Sequence, residues 1–351
     1  MRRLWPHLLL PAVVLLANAV RVRNCDPIEG VGFYLMGPVA SMLVASQVGT
    51  GLGILTGGRW LSALVFAGVW LLSLVRVAGH LYLEPQVFAF NPFVGYFAGA
   101  VYDDLISIDQ RFILFRLSDA LVVVGVWGSV GLLSRSNGGG LVDRLRGASA
   151  WAWTCFAIGV VGWAAFFGGR AVLGIEIDRA AIRQVLGGVV TGERISVVYA
   201  REEIDHAEAE RIHRDLRYAL DQLDVKLGRP HPDPVEAFIY GSKEQKRALM
   251  GAGKVDLAKP WLGEIHVTRP ASGDPVLKHE LAHVVLGPHG DSLLGVPARA
   301  QIFPHMGIVE GAAEALEWSG GSFTLHEWSA AMRQEDLAPP LEQIVGAGGF
   351  W

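Results

Sequence analysis

Five apolar runs crowd the first half of this chain, and no comparable run follows them. They cover residues 4–20, 33–55, 60–75 with an extension to about 83, 112–133 and 148–167. As helices, runs of this length match the hydrocarbon core of a bilayer, because each residue adds about 1.5 Å to a span of about 30 Å. Hydrophobic residues make up 51% of the 351 and charged residues only 18%. A mean hydropathy of +0.35 is too apolar for an ordinary soluble protein. The apolar character ends near residue 174. The expected architecture is therefore a membrane protein with an N-terminal α-helical transmembrane bundle (residues 1–174, about five spans) and a C-terminal α+β domain outside the bilayer (residues 175–351).

Within the first half, Ala17-Asn18-Ala19 resembles a signal-peptidase site. The apolar runs that follow favour a signal anchor or first span instead. The second run is rich in glycine and small residues, which suits close helix packing in lipid. Arg116 and Asp119 interrupt the fourth, and Trp151, Trp153 and Trp163 mark the fifth as interfacial anchors. The segment 86–102 is apolar and aromatic but broken by Asn91-Pro92 and glycines, so it is expected to be re-entrant or interfacial. Tyr102-Asp103-Asp104 and Asp109 beside it read as a solvated acidic loop. Arg135, Arg144 and Arg146 in the short loop 134–147 predict a cytoplasmic position for it. That puts everything after residue 168 on the extracytoplasmic side, with Met1-Arg2-Arg3 and Arg59 inside; Arg21 and Arg23 oppose this assignment. Cys25 and Cys155 are too far apart to suggest a metal motif and are read as free thiols. The net charge of −4 is small and argues neither for nor against an anionic partner, but no basic stripe suggests nucleic acid.

The second half alternates short β-type and longer helical patterns. Strands are expected at 194–199, 235–240 and 263–268, with a mixed connector over 170–192. A long amphipathic helix at 202–227 carries Ile204, Ile212, Leu216, Leu220, Leu223 and Leu227 on one stripe, with His206 and His213 on its surface. A short helix at 242–250 is capped by Ser242. Next comes His279-Glu280-Leu281-Ala282-His283. Asp274 as N-cap, Pro275 at the first helical position and Gly287-Pro288 as the stop frame it as a helix. Residues four apart share a helix face, so the two imidazoles can converge on one tetrahedral Zn²⁺, with Glu280 beside them as general base.

A second helical pattern at 308–318 includes Glu310-Gly311-Ala312-Ala313-Glu314. Catalytic zinc sites have three protein ligands and an open position, and Glu310 is the candidate for the third. Glu314, one turn on, is placed to accept the free ring N–H of a ligating histidine. Gly311, Ala312 and Ala313 are small, as tight packing against the first helix would require. Together the two motifs resemble the gluzincin group of zinc metallopeptidases, over about residues 194–351. The resemblance implies a metallopeptidase-like domain with zinc held by His279, His283 and Glu310, Glu280 as catalytic base, and a peptide or protein as substrate. It also implies that the strand at 263–268 is the edge strand along which the substrate lies. Such domains add a Tyr or His that stabilises the oxyanion. His305 and His326 are available here but sit in no matching motif, and further helices are expected beyond Trp351. The alternative is a membrane receptor or transporter with a non-catalytic peptidase-like domain. An intramembrane protease is disfavoured, because no apolar run of about 18 residues surrounds the histidines.

Overall fold

The computed structural model describes residues 5–21, 26–97, 107–133, 141–300, 303–317 and 323–345. Met1-Arg2-Arg3, Arg23, Cys25, Tyr102-Asp103-Asp104 and Arg135 lie outside these residues. The chain separates into two compact units, residues 1–178 and 179–351. It is mostly helical, with a small sheet region.

The first unit contains α1 (Trp5–Arg21), α2 (Pro27–Tyr34), a π-turn (Leu35–Val39), α3 (Ala40–Thr56), α4 (Arg59–Leu83), β1 (Ala89–Asn91), β2 (Gly95–Phe97), α5 (Gln110–Leu133), α6 (Leu141–Arg146) and α7 (Ala150–Gly169). Among the described residues, four segments are long and apolar enough to cross a membrane: Pro27–Thr56, Arg59–Leu83, Gln110–Leu133 and Ala150–Gly169. The first apolar run makes only the 17-residue α1, with Pro11 inside it. At about 1.5 Å per residue that is shorter than a 30 Å core, so four segments rather than five meet the length.

Small residues set the closest helix contact. A methyl at Gly159 of α7 would lie 2.2 Å from Gly125 Cα of α5, and one at Gly128 would lie 2.3 Å from Phe156 N. Glycine thus permits a backbone approach between α5 and α7, and in the small-residue-rich second run Gly51 of α3 likewise makes room for Val126 of α5, where a methyl would lie 2.2 Å from Val126 Cγ1. Arg116 and Asp119, the two charges inside α5, are buried and paired at 2.6 Å, and Arg116 also donates to Ser41 Oγ at 2.8 Å. Charged groups among apolar helices are tolerated when paired in this way. The segment at 86–97 forms neither a helix nor an open loop. It is an antiparallel hairpin with Phe90 opposite Tyr96. Phe88 and Phe90 bury themselves against Phe112, Phe115 and Ile175. Asp109 caps α5 by accepting from Phe112 N at 2.9 Å. Cys155 is a free thiol.

The second unit contains α8 (Arg179–Leu186), β3 (Gly187–Thr191), β4 (Ile195–Ala200), α9 (His206–Leu227), β5 (Val235–Tyr240), α10 (Lys243–Met250), β6 (Leu257–Lys259), β7 (Glu264–Thr268), α11 (Val276–Leu286), β8 (Ala298–Arg299), β9 (Phe303–Pro304), α12 (Met306–Glu317), α13 (Leu325–Gln334) and α14 (Leu341–Val345). Five strands form one sheet in the order β3-β4-β5-β7-β6, parallel at its centre and antiparallel at both edges. β4 and β5 are nearly all buried, as central parallel strands are.

Helix α9 packs its Ile212, Leu216, Leu220 and Leu223 stripe inward. Asp205 caps its start, and Gly228, at φ 70°, ends it in the left-handed conformation that glycine adopts without cost. His206 is exposed. His213 is instead half-buried, its Nε2 lying 3.1 Å from the Ile195 carbonyl oxygen.

Two sequence expectations are overturned here. The connector at 170–192 contains α8 and β3. The strand at 263–268 is not an edge: β7 lies between β5 and β6, and the three-residue β6 is the outer strand. A three-residue strand shows too little alternation to be read from sequence.

Candidate metal centre

Helix α11 carries the two histidines. It starts one residue later than its sequence signals imply: Pro275 takes the cap position, and Asp274 Oδ1 accepts from Val276 N at 3.1 Å. Nor does Gly287 stop the chain. It keeps right-handed helical angles and leads into a single 3-10 turn, Gly287–His289. Leu277, Leu281, Ala282, Val284 and Val285 are buried. Lys278 Nζ donates to Gln222 Oε1 of α9 at 2.9 Å, which tethers the helix to its neighbour.

With this frame fixed, His279 Nε2 and His283 Nε2 lie 3.3 Å apart. Glu310 Oε2, from α12, is 3.4 Å from the first and 3.6 Å from the second. A tetrahedral ion with arms of about 2.0–2.1 Å holds its ligand atoms about 3.3–3.4 Å apart. The three separations therefore fit one face of such a tetrahedron. His279, His283 and Glu310 are the group of metal-ligating side chains that converges among the described residues. Nitrogen and carboxylate donors of this kind suit zinc, though other divalent metals share the preference.

The electrostatics match the geometry. Glu310 raises the His279 ring to about 9, and contact with His279 and then His283 holds the Glu310 carboxylate down at about 2. Burial pushes Glu280 up to about 7; the two histidines oppose this, and the charges of Asp256 and Glu310 add to it. Glu314 Oε1 stands 3.6 Å from His279 Nδ1, within ion-pair reach and slightly beyond a normal hydrogen bond.

Several placements differ from expectation. Gly311 is not a packing residue, because a methyl there would meet nothing within 4 Å. Ala313 is the residue of that turn that is fully buried. His305 starts α12, its carbonyl accepting from Ile308 N and Val309 N at 2.8 and 3.0 Å. His326 stands exposed in the first turn of α13. Neither joins the converging group.

Asp256 escapes sequence reasoning altogether. It accepts from Lys246 Nζ and from Thr268 N, the latter at 2.9 Å, and its charge reaches Glu280. It belongs to no motif and sits in a loop, so no sequence signal marks it. Comparison with family models, with curated proteins and with solved structures finds no match for the chain.

Proposed function

We propose that the chain is a membrane-anchored, zinc-dependent metallopeptidase of the gluzincin type. The observation that carries this reading is the convergence of His279, His283 and Glu310 at tetrahedral spacing. A zinc ion held there would act as a Lewis acid, lowering the pKa of a neighbouring water to about 7 and polarising a carbonyl oxygen. The remaining chemistry belongs to the chain. Glu280, with its carboxyl near 7, is poised to take a proton from the attacking water and pass it to the leaving amine. Glu314 orients the His279 ring through Nδ1. The four apolar segments anchor the protein in a bilayer. The Arg144 and Arg146 side of the α5–α7 connection faces the cytoplasm in this reading, and the peptidase unit lies outside. That assignment does not depend on whether α1 spans, because only α7 separates the connection from the second unit.

The test uses the full chain in detergent. Metal content is measured together with hydrolysis of a generic fluorogenic peptide, for the wild type and for Glu280→Gln. The expected result is about one zinc per chain in both proteins, with turnover lowered by about 10²–10⁴-fold in the variant. Full proteolysis by Glu280→Gln at unchanged zinc would sink the assignment of the base. Zinc retained by a wild type that hydrolyses nothing would favour the alternative, a receptor or transporter with a non-catalytic binding domain.

A further inference from the structure

The helical unit forms a half-open cavity of about 550 Å³ that the metal centre does not use. Small-molecule sites span roughly 300–1,000 Å³. Its walls are sorted by polarity. Val69 of α4, Val122 and Val126 of α5 and Val160 of α7 line one end. Arg76 and His80, further along α4, line the other end with Arg170 and Glu176 from the exit of α7. Along α4, Val69 and Arg76 are about 10 Å apart, and along α7, Val160 and Arg170 are about 15 Å apart. The cavity is therefore long and graded.

The polar end carries excess positive charge. Glu176 alone serves two guanidinium groups: Oε1 pairs with Arg76, and Oε2 lies 2.7 Å from Arg170 Nε. Both guanidinium groups rest against the Phe167 ring, 3.6 Å from its centre for Arg170 and 5.6 Å for Arg76. Arg170 Nη1 and His80 Nε2 are buried and lack a hydrogen-bond partner among the described residues. Buried donors are seldom left unpaired without a reason. The other charge on the wall, Asp119, is already neutralised by Arg116 at 2.6 Å.

We propose that this cavity binds a single-chain anionic amphiphile. The head, a carboxylate or a phosphate monoester, sits at Arg76 and Arg170, and the hydrocarbon chain lies along the valine wall. Guanidinium groups suit both heads, because their planar forks match either anion. The site is independent of the peptidase reading.

The test reconstitutes the full chain in nanodiscs of neutral lipid. Saturable binding of dansyl-labelled undecanoic acid is followed by its fluorescence, with empty nanodiscs as the blank. Competitors are oleate, oleoyl lysophosphatidate, monooleoylglycerol and oleylamine. The expected result is displacement by one or both anionic competitors, whose ranking identifies the natural head, and not by the neutral or cationic ones. Arg76→Gln should weaken binding about tenfold, Glu176→Gln should strengthen it, and Val122→Trp should abolish the saturable part by filling the chain end. Zinc content should stay unchanged in all three. The proposal is overturned if empty nanodiscs give the same signal, which would be partition into lipid only. It is equally overturned if oleylamine competes as well as oleate, or if Val122→Trp binds like the wild type.

Discussion

Two helix pairs in this protein carry small residues on their facing helices, and they use them differently. Between α5 and α7, Gly125, Gly128 and Gly159 let the backbones touch, and a methyl added at Gly128 or Gly159 would collide with backbone atoms. Between α11 and α12, the glycine of the Glu310 turn faces open space, and Ala313 is the small residue of that turn that is buried. In the first pair the absence of a side chain is the contact. In the second, the contact is a surface that presents Glu310 to two histidines. The same sequence signal, small residues spaced along a helix, thus has two physical origins, and only the structure separates them.

The comparison can be broken or sharpened by substitution. The largest effect is expected from Gly159→Leu, which forces the α5 and α7 backbones apart. It should lower stability by about 3 kcal/mol, read as a fall in the thermal midpoint in detergent. An unchanged midpoint would mean that the two helices do not meet as described. Glu314→Gln comes next. It removes the charge 3.6 Å from His279 Nδ1 and, on the proposed reading, should weaken zinc affinity about 10–100-fold, measured by competition with a chelator, while the fold is kept.

A pH comparison separates the metal-free and metal-loaded centres. His279 is raised from 6.5 to about 9, so its contribution is complete below 6.5 and is lost as pH rises through 9. Glu310 is lowered from 4.5 to about 2, so its contribution is present above 4.5 and is lost as pH falls through 2. The metal-free protein should therefore hold the pair at full strength between 4.5 and 6.5. In the proposed centre zinc would displace the proton from His279, so added stabilisation by zinc should grow as pH rises. Thermal melts with chelator and with zinc, from about pH 5 to about pH 9, check both slopes. A zinc shift that does not change with pH would exclude His279 as a ligand. The smallest effect is Gly311→Ala, a gain of about 0.5–1 kcal/mol from helix propensity alone, with zinc content unaltered.

The features that sequence made legible are those with long periods or fixed spacing. The buried stripe of α9 persists from Ala209 to Leu223, about four turns, and the apolar runs of β4 and β5 are buried on both faces. The four-residue spacing of His279 and His283 fixes their common face whatever surrounds them. Elements whose existence depends on a distant partner were not legible. β3 begins with two glycines, one of which, Gly188, leaves room for the Tyr199 ring across the pair. β6 is three residues long and exists because β7 is there to bond it. The hairpin at 89–97 looks like a broken span until Phe90 is seen stacked on Phe112 and Phe115. Asp256 reaches Glu280 only through the fold.

The parallel pairing of β4, β5 and β7 bears on how the second unit assembles. Val197 pairs with Ala237, and Ala237 with Ile265, each across a helical crossover. No tight turn can set such a register, so chain segments tens of residues apart must find one another, and contacts of that range slow folding. The candidate ligands His279 and Glu310 meet when α11 lies on the sheet and α12 on α11. In the proposed zinc centre, capture of the ion would then be a clock for the last step of assembly: during refolding, its appearance should lag behind the recovery of helical signal.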